Sequence, residues 1–252
     1  MARYVLEVMY DGALYHGSQI QGELPTVQLY LNQTISTIFR RTIETFGSSR
    51  TDEGVHALSN FYHFDLDEEP MAAFAYKCNA ILPAGIAVKS LCLASNPEFN
   101  ARFDALERQY RYRIYDKKNP FLHQRALFYP FTIDKPVLHE TAAIIREYTH
   151  FESFSKRKTQ SKTFICNIRE SRWEDHEGEL HYVVAANRFL RGMVRGLVAT
   201  QLRVARGKLT TTDFRMIIET CDCKKAFFDV EGYGLYLEQV RYPDGALVGL
   251  PT

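Results

Sequence analysis

Gly47-Ser48-Ser49-Arg50-Thr51-Asp52-Glu53-Gly54-Val55-His56 is a polar stretch between two runs of strand character, Thr42 to Phe46 and Ser59 to Leu66. A loop between strands is where a rigid scaffold presents functional groups. Asp52 follows Arg50 by two residues and would be ionised at neutral pH unless strongly desolvated. Asp and Gly also favour turns, and an Arg50–Asp52 pair would suit an ordinary polar turn. On residue chemistry alone, the turn is the better of the two readings.

Working outward, Arg3 to Tyr10 alternates with Tyr4, Leu6 and Val8 on one face, which predicts a strand, and Asp11-Gly12 supplies a turn. Thr26 caps a predicted helix with Val27, Leu31, Ile35, Ile38 and Phe39 on its apolar side. A helix around Ala72 to Leu82 stops at Pro83, and Ile86 to Leu93 reads as a strand. The second half carries predicted strands at Arg108 to Tyr115, Phe164 to Glu174, Leu180 to Ala186 and Gly234 to Tyr242. Its helices are predicted over Asp134 to Tyr148, Arg191 to Arg206 and Thr212 to Thr220. The alternation lacks a regular βαβ rhythm, and no G-x-G-x-x-G or P-loop pattern occurs. The expected class is therefore α+β with mainly antiparallel sheets. The division is predicted near Phe99 to Glu107, giving halves 1–104 and 105–252 that share one extended sheet.

A chain of 252 residues can form one large domain or two modest ones, and its 46% hydrophobic and 24% charged residues are ordinary for a globular protein. The net charge of +1 does not announce a nucleic-acid binder, but its distribution is uneven. From Ala185 to Lys208 there are Arg188, Arg191, Arg195, Arg203, Arg206 and Lys208 and no acid. Arg108, Arg111 and Arg113 alternate with Tyr110, Tyr112 and Tyr115. A single such run is ordinarily a solvated face; two, one of them interleaved with tyrosines, shift the expectation toward a polyanionic partner. The five scattered cysteines, Cys78, Cys92, Cys166, Cys221 and Cys223, suggest neither a disulfide framework nor a zinc knuckle, and no metal is expected. No apolar run reaches the roughly 18 residues of a membrane span and the N-terminus does not read as a signal peptide, so a cytoplasmic protein is expected.

Arg50-Thr51-Asp52-x-Gly54-Val55-His56 resembles the signature of the tRNA pseudouridine synthase A (TruA-type) family. Further motifs resemble that family in order along the chain. They are Tyr10-Asp11-Gly12 with Tyr15-x-Gly17-x-Gln19, Val27-Gln28, Asn79-x-x-Leu82-Pro83 with Ile86-Ala87-Val88, and Phe99-Asn100-Ala101-Arg102-Phe103. Then come Arg108-x-Tyr110-Arg111-Tyr112, Phe151-x-Ser153-Phe154, Asn187-x-Phe189-Leu190-x-x-Met193-Val194-Arg195 and Gly234-Leu235-Tyr236-Leu237. The resemblance implies a pseudouridine synthase fold, with two α+β halves meeting at a central basic cleft. It implies a homodimer that binds the anticodon arm of tRNA and isomerises uridine to pseudouridine without cofactor or metal.

By that resemblance Asp52 is the catalytic carboxylate, acting as nucleophile or as base, and Arg50 displaces the target base and holds nearby phosphate. Tyr110 corresponds to the family tyrosine that packs on the uracil, whereas Tyr112 reads as a core residue. Arg195 matches an arginine that in the family lies beside the catalytic carboxylate. Leu235 matches an apolar residue under the base, and Arg102 and Arg191 are expected to contact RNA. His56 is expected to brace the loop.

Several residues depart from the family pattern. Ser48-Ser49 replaces Ala-Gly, which matters if that backbone needs φ > 0. Glu53 puts a second carboxylate beside Asp52, and Ser18 stands where Trp is common. These changes bear on the substrate, so a synthase acting on another tRNA site or another RNA is the alternative. A non-catalytic RNA-binding protein is the reading from a different class; Arg50, Asp52, Tyr110 and Arg195 together argue against it.

Overall fold

The computed structural model describes residues 1–156 and 163–250. The chain begins with β1 (Ala2–Tyr10), α1 (Val27–Phe39), β2 (Phe46–Gly47), β3 (His56–Leu66), α2 (Phe74–Ile81) and β4 (Ile86–Ala94). It continues through β5 (Glu107–Tyr115), β6 (Leu127–Phe128), α3 (Lys135–Ile145), β7 (Ile168–His176) and β8 (Glu179–Ala186). It ends with α4 (Met193–Ala205), α5 (Thr211–Glu219), β9 (Leu235–Arg241) and β10 (Leu247–Gly249). The result is a mixed α+β protein in which most of the strand pairs are antiparallel, while β3 pairs with β9 and β5 with β6 in parallel. Two compact units form: Met1–Leu106 together with the stretch from Tyr236, and Glu107–Leu235.

In the first unit the strands run in the order β10-β4-β1-β3-β9, with β2 added on β3. The alternation of β1 explains its place. Tyr4, Leu6 and Val8 are buried, and Tyr4 meets Phe64 of β3 while Phe64 meets Phe74 of α2. Phe39 at the end of α1 packs on Phe74, so both helices lie over this face. The opposite face is buried only around Val5. Val5 is fully buried in a cluster with Ala94, Phe99 and Ala101, flanked by Phe61 and Tyr242. That is why the return of the chain after β9 belongs to this unit. Arg3 of β1 stands directly across from Asp65 of β3 and binds its two carboxylate oxygens through Nε and Nη2, each at 2.8 Å.

The stretch at residues 42–45 does not form the predicted strand; pairing starts only at Phe46. Its backbone groups are satisfied by side chains of α1 instead. Ile43 N–H donates to Ser36 Oγ, Thr45 N–H donates to Asn32 Oδ1, and the Thr45 carbonyl accepts from Gln28 Nε2. Buried backbone groups need partners, and a helix flank can supply them as well as a neighbouring strand can. The predicted strand at Phe164 likewise begins later, at Ile168, because Phe164 O and Cys166 N–H pair with Phe151 and Thr149.

In the second unit β5-β8-β7 form the sheet, with β6 on β5, and α3 packs on β7 and α4. Gln201 of α4 is fully buried and its Oε1 accepts from Trp173 Nε1 on β7 and from Thr141 Oγ1 on α3. Gly196 of α4 is required by close packing: a Cβ there would lie 2.8 Å from the Phe228 ring. The Arg/Tyr strand β5 turns out differently from a polyanion-binding stripe. Arg111 is paired with Glu174 and Arg113 with Glu179, so these two charges are neutralised within the sheet. Tyr112 is wholly buried, as its core reading expects.

The Arg3 hydrogen bonds hold the Asp65 carboxyl below the usual carboxylate range. A depressed folded-state value means the pair contributes above the unfolded value, near pH 4, and fades as pH falls through the folded one. Asp65→Ala is expected to lower stability at neutral pH by about 0.5–1 kcal/mol, since the carboxylate is partly exposed. Urea denaturation at neutral pH and near pH 2 is the check; a deficit of equal size at both would overturn the assignment.

Candidate active site

The 47–56 loop is held to the first unit from below and from both sides. Asn60 of β3 is fully buried. Its Nδ2 donates to the Tyr10 hydroxyl (3.1 Å) and to the Ser49 carbonyl (3.2 Å). Its Oδ1 accepts from Ser48 Oγ (2.8 Å) and Phe61 N–H (3.0 Å). The Tyr10 hydroxyl reaches Thr51 Oγ1 at 2.8 Å. Burial pushes the Tyr10 phenol up, and the Tyr62 phenol beside it further, so both remain protonated donors.

Ser18 closes the other side. Its Oγ accepts from Thr51 N–H at 2.8 Å, and its own N–H donates to the Thr51 carbonyl at 3.1 Å. Two glycines permit this approach. A Cβ on Gly12 would fall on the Val55 carbonyl, and one on Gly17, at φ +87°, would lie 2.9 Å from the Thr51 carbonyl. His56 is buried, accepts from Gly12 N–H through Nδ1 at 3.1 Å, and stacks on Tyr236 with centroids 4.5 Å apart. It braces the loop.

The braced loop presents Asp52 partly exposed and Arg50 exposed. Arg50 makes no ion pair among the described residues, so the simple Arg50–Asp52 turn pair does not form. Neither Ser48 nor Ser49 has positive φ, so the loss of glycine there strains nothing. Glu53 points to solvent and its carboxylate lies 3.3 Å from His16 Nδ1. Arg102 is also in this unit, exposed, with its guanidinium 5.5 Å from the Phe103 ring centroid. Arg50 and Arg102 line one pocket of about 160 Å³.

The remaining candidates lie in the second unit. Tyr110 sits on β5 opposite Val184, buried, with its ring edge-on to Phe189 at 5.2 Å. Arg195 is in the first turn of α4 and donates through Nε to the Val230 carbonyl at 2.8 Å. Arg191 is exposed just before that helix. Leu235 is buried and opens β9 directly after Gly234, where a Cβ would meet the Tyr112 ring at 2.6 Å. The structure thus groups Arg50, Asp52 and Arg102 in one unit and Tyr110, Arg191, Arg195 and Leu235 in the other.

All five cysteines are free. Among the described residues one group of potential metal ligands occurs, His150, Glu152 and Cys221. Cys221 Sγ lies 3.4 Å from His150 Nδ1, whereas Glu152 lies 4.0 Å from Nε2. The two partners face different nitrogens of one ring, a poor arrangement for a single ion.

Sequence reasoning missed Asn60 and saw in Ser18 only a departure from the family pattern. An Asn inside an otherwise apolar-alternating strand is itself a signal, because Asn is disfavoured in strands unless its amide has specific partners.

Residues 148–243 match the family model described as tRNA pseudouridine synthase. Over nearly the whole chain the sequence is similar to the tRNA pseudouridine synthase A of Bacteroides thetaiotaomicron, with 41% identity over 248 residues, 97% of this chain and 92% of the relative. It is 38% identical to that of Parabacteroides distasonis over 97% of each chain. The Staphylococcus aureus protein of the same name is 30% identical over 98% of this chain and 94% of its own. The chain belongs to the tRNA pseudouridine synthase A family.

Asn60→Ala would strand the Tyr10, Ser48 and Ser49 groups it satisfies. A loss of about 1–3 kcal/mol in unfolding free energy is expected by chemical denaturation; a change smaller than about 0.5 kcal/mol would show that the network does not hold the loop.

Proposed function

We propose that this protein isomerises uridine to pseudouridine in the anticodon arm of tRNA, with Asp52 as the catalytic carboxylate. The observation that carries the reading is the loop itself: a buried network positions the loop that presents a partly exposed carboxylate at Asp52, two residues from Arg50, whose guanidinium makes no ion pair among the described residues. Holding the loop backbone in this way limits where the Asp52 carboxylate can sit, and nucleophilic or general-base chemistry benefits from such positioning. In the net reaction the bond from ribose C1′ to uracil N1 breaks, the base turns, and C1′ bonds to C5. The C5 proton leaves and N1 takes one up, so atoms balance with no added reactant.

The target uridine has to leave its stack before the glycosidic bond can be reached. Arg50 and Arg102 supply charge for the displaced nucleotide and its phosphates; Arg191 contributes a further phosphate contact. Tyr110 offers a ring for the uracil and Leu235 an apolar support, while Arg195 serves as the cation of the catalytic set. The active form is a homodimer, which sedimentation at micromolar concentration checks directly.

Asp52→Asn is expected to leave tRNA affinity within about threefold of the parent and to abolish pseudouridine formation, a fall of at least about 10³-fold. Filter binding and mass-spectrometric detection of pseudouridine provide the two readouts. Retained turnover in Asp52→Asn would remove the carboxylate from the chemistry. Parent protein that binds tRNA and yields no pseudouridine would favour the binding-only reading.

Affinity is also expected to fall steeply between low and moderate salt, because phosphate contacts release counterions. A salt-insensitive affinity would exclude Arg50, Arg102 and Arg191 as phosphate contacts.

A further inference from the structure

We propose that the pocket beside the catalytic loop in the first unit holds one unpaired nucleotide of the RNA flanking the target uridine. This inference rests on the reading of the protein as an RNA-modifying enzyme and assigns that enzyme a second nucleotide subsite. The pocket has a volume of about 160 Å³, on the scale of a single base, and is lined by both arginines of this unit's site, Arg50 and Arg102. Two large aromatic rings in its wall are left in solvent: Phe103 is 75% exposed and Phe46 is 54% exposed. An exposed Phe is costly on a monomer surface, and a base has an apolar face to cover it.

The polar groups of the wall suit a base edge. Gln19 is exposed and its amide makes no hydrogen bond among the described residues. Asn100 uses Oδ1 to accept from the Arg102 and Phe103 amides, and its Nδ2 makes no hydrogen bond among the described residues. Gln28 is already satisfied by Thr45 and Ile20 and serves as wall. Asp104, next along the chain, is engaged by Asn100 N–H. Aromatic faces, side-chain amides and two guanidinium groups together match a nucleotide, with ring, edge and phosphate each answered.

The small residues of this chain leave the space open. Ser18 and Ser49 both line the pocket, and their short side chains take up little of it.

The test uses the full chain carrying Asp52→Asn, an anticodon-arm hairpin RNA, and hairpins with single abasic replacements on either side of the target uridine. In this parent one abasic position is expected to weaken binding about tenfold, the size of one lost stacking contact. Adding Phe103→Ala should weaken the intact hairpin by a similar factor and make that abasic replacement silent, while Phe103→Trp restores the intact affinity. Binding of Phe103→Ala within twofold of the parent would overturn the subsite, as would abasic losses undiminished in the variant. Pseudouridine yield from the protein with Asp52 intact is measured in parallel. Coupling without pseudouridine keeps the subsite and sinks the catalytic reading; pseudouridine without coupling sinks the subsite alone. Failure to bind any hairpin overturns both.

Discussion

One buried carboxamide holds the candidate site together. Asn60 sits on a strand whose neighbours are apolar, and its four hydrogen-bonding positions are shared among Tyr10, Ser48, Ser49 and the chain itself. A polar group so deeply buried is tolerable only when every partner is present, so the network acts as a unit. The consequence is mechanical. The strand core fixes Asn60, Asn60 fixes the Ser49 carbonyl, and three residues later the chain emerges at Asp52.

Glycine makes that arrangement accessible. Gly12 and Gly17 let the turn after β1 lie against the backbone of the loop, where any side chain would collide with the Val55 or Thr51 carbonyl. Ser18 then spends its hydroxyl on the Thr51 amide. At this position a small residue does two jobs: it braces the loop and it leaves the neighbouring pocket open. Charge follows a similar economy. Arg111 and Arg113 are consumed by acids within the sheet, whereas Arg50, two residues from the carboxylate, pairs with no acid among the described residues. Which arginines can meet a phosphate is decided by which have found an acid in the fold.

Much of the element pattern was legible from the chain. Period-two alternation marked β1, and Thr26 marked a helix start because its side chain caps a free amide; Asp134, where the predicted helix begins, caps one as well. The misplaced strand starts have related causes: residues 42–45 satisfy their backbones through a helix flank, and residues 164–166 through an isolated bridge to 149–151, outside the main sheet. Asp52, Arg50 and Arg102 were visible only because ordered motifs resemble a family. Their own chemistry would equally fit a polar turn. Asn60 showed only as a polar residue out of place in a strand, since its role lies in what surrounds it.

The sequence by itself determined the α+β class, the helix caps, the free cysteines and the short list of charged and aromatic residues available for chemistry. Those properties follow from local periodicity and from residue type. Tertiary structure decided which of those residues are spent on the fold and which remain available, because hydrogen bonds and ion pairs join positions far apart in the chain. It buried Val5 on a second face beneath Phe99 and Ala101, and it returned β9 to pair with β3. It also exposed Phe46 and Phe103 around one pocket. A strand pattern records which side of a residue is apolar; only the folded chain records what lies against that side.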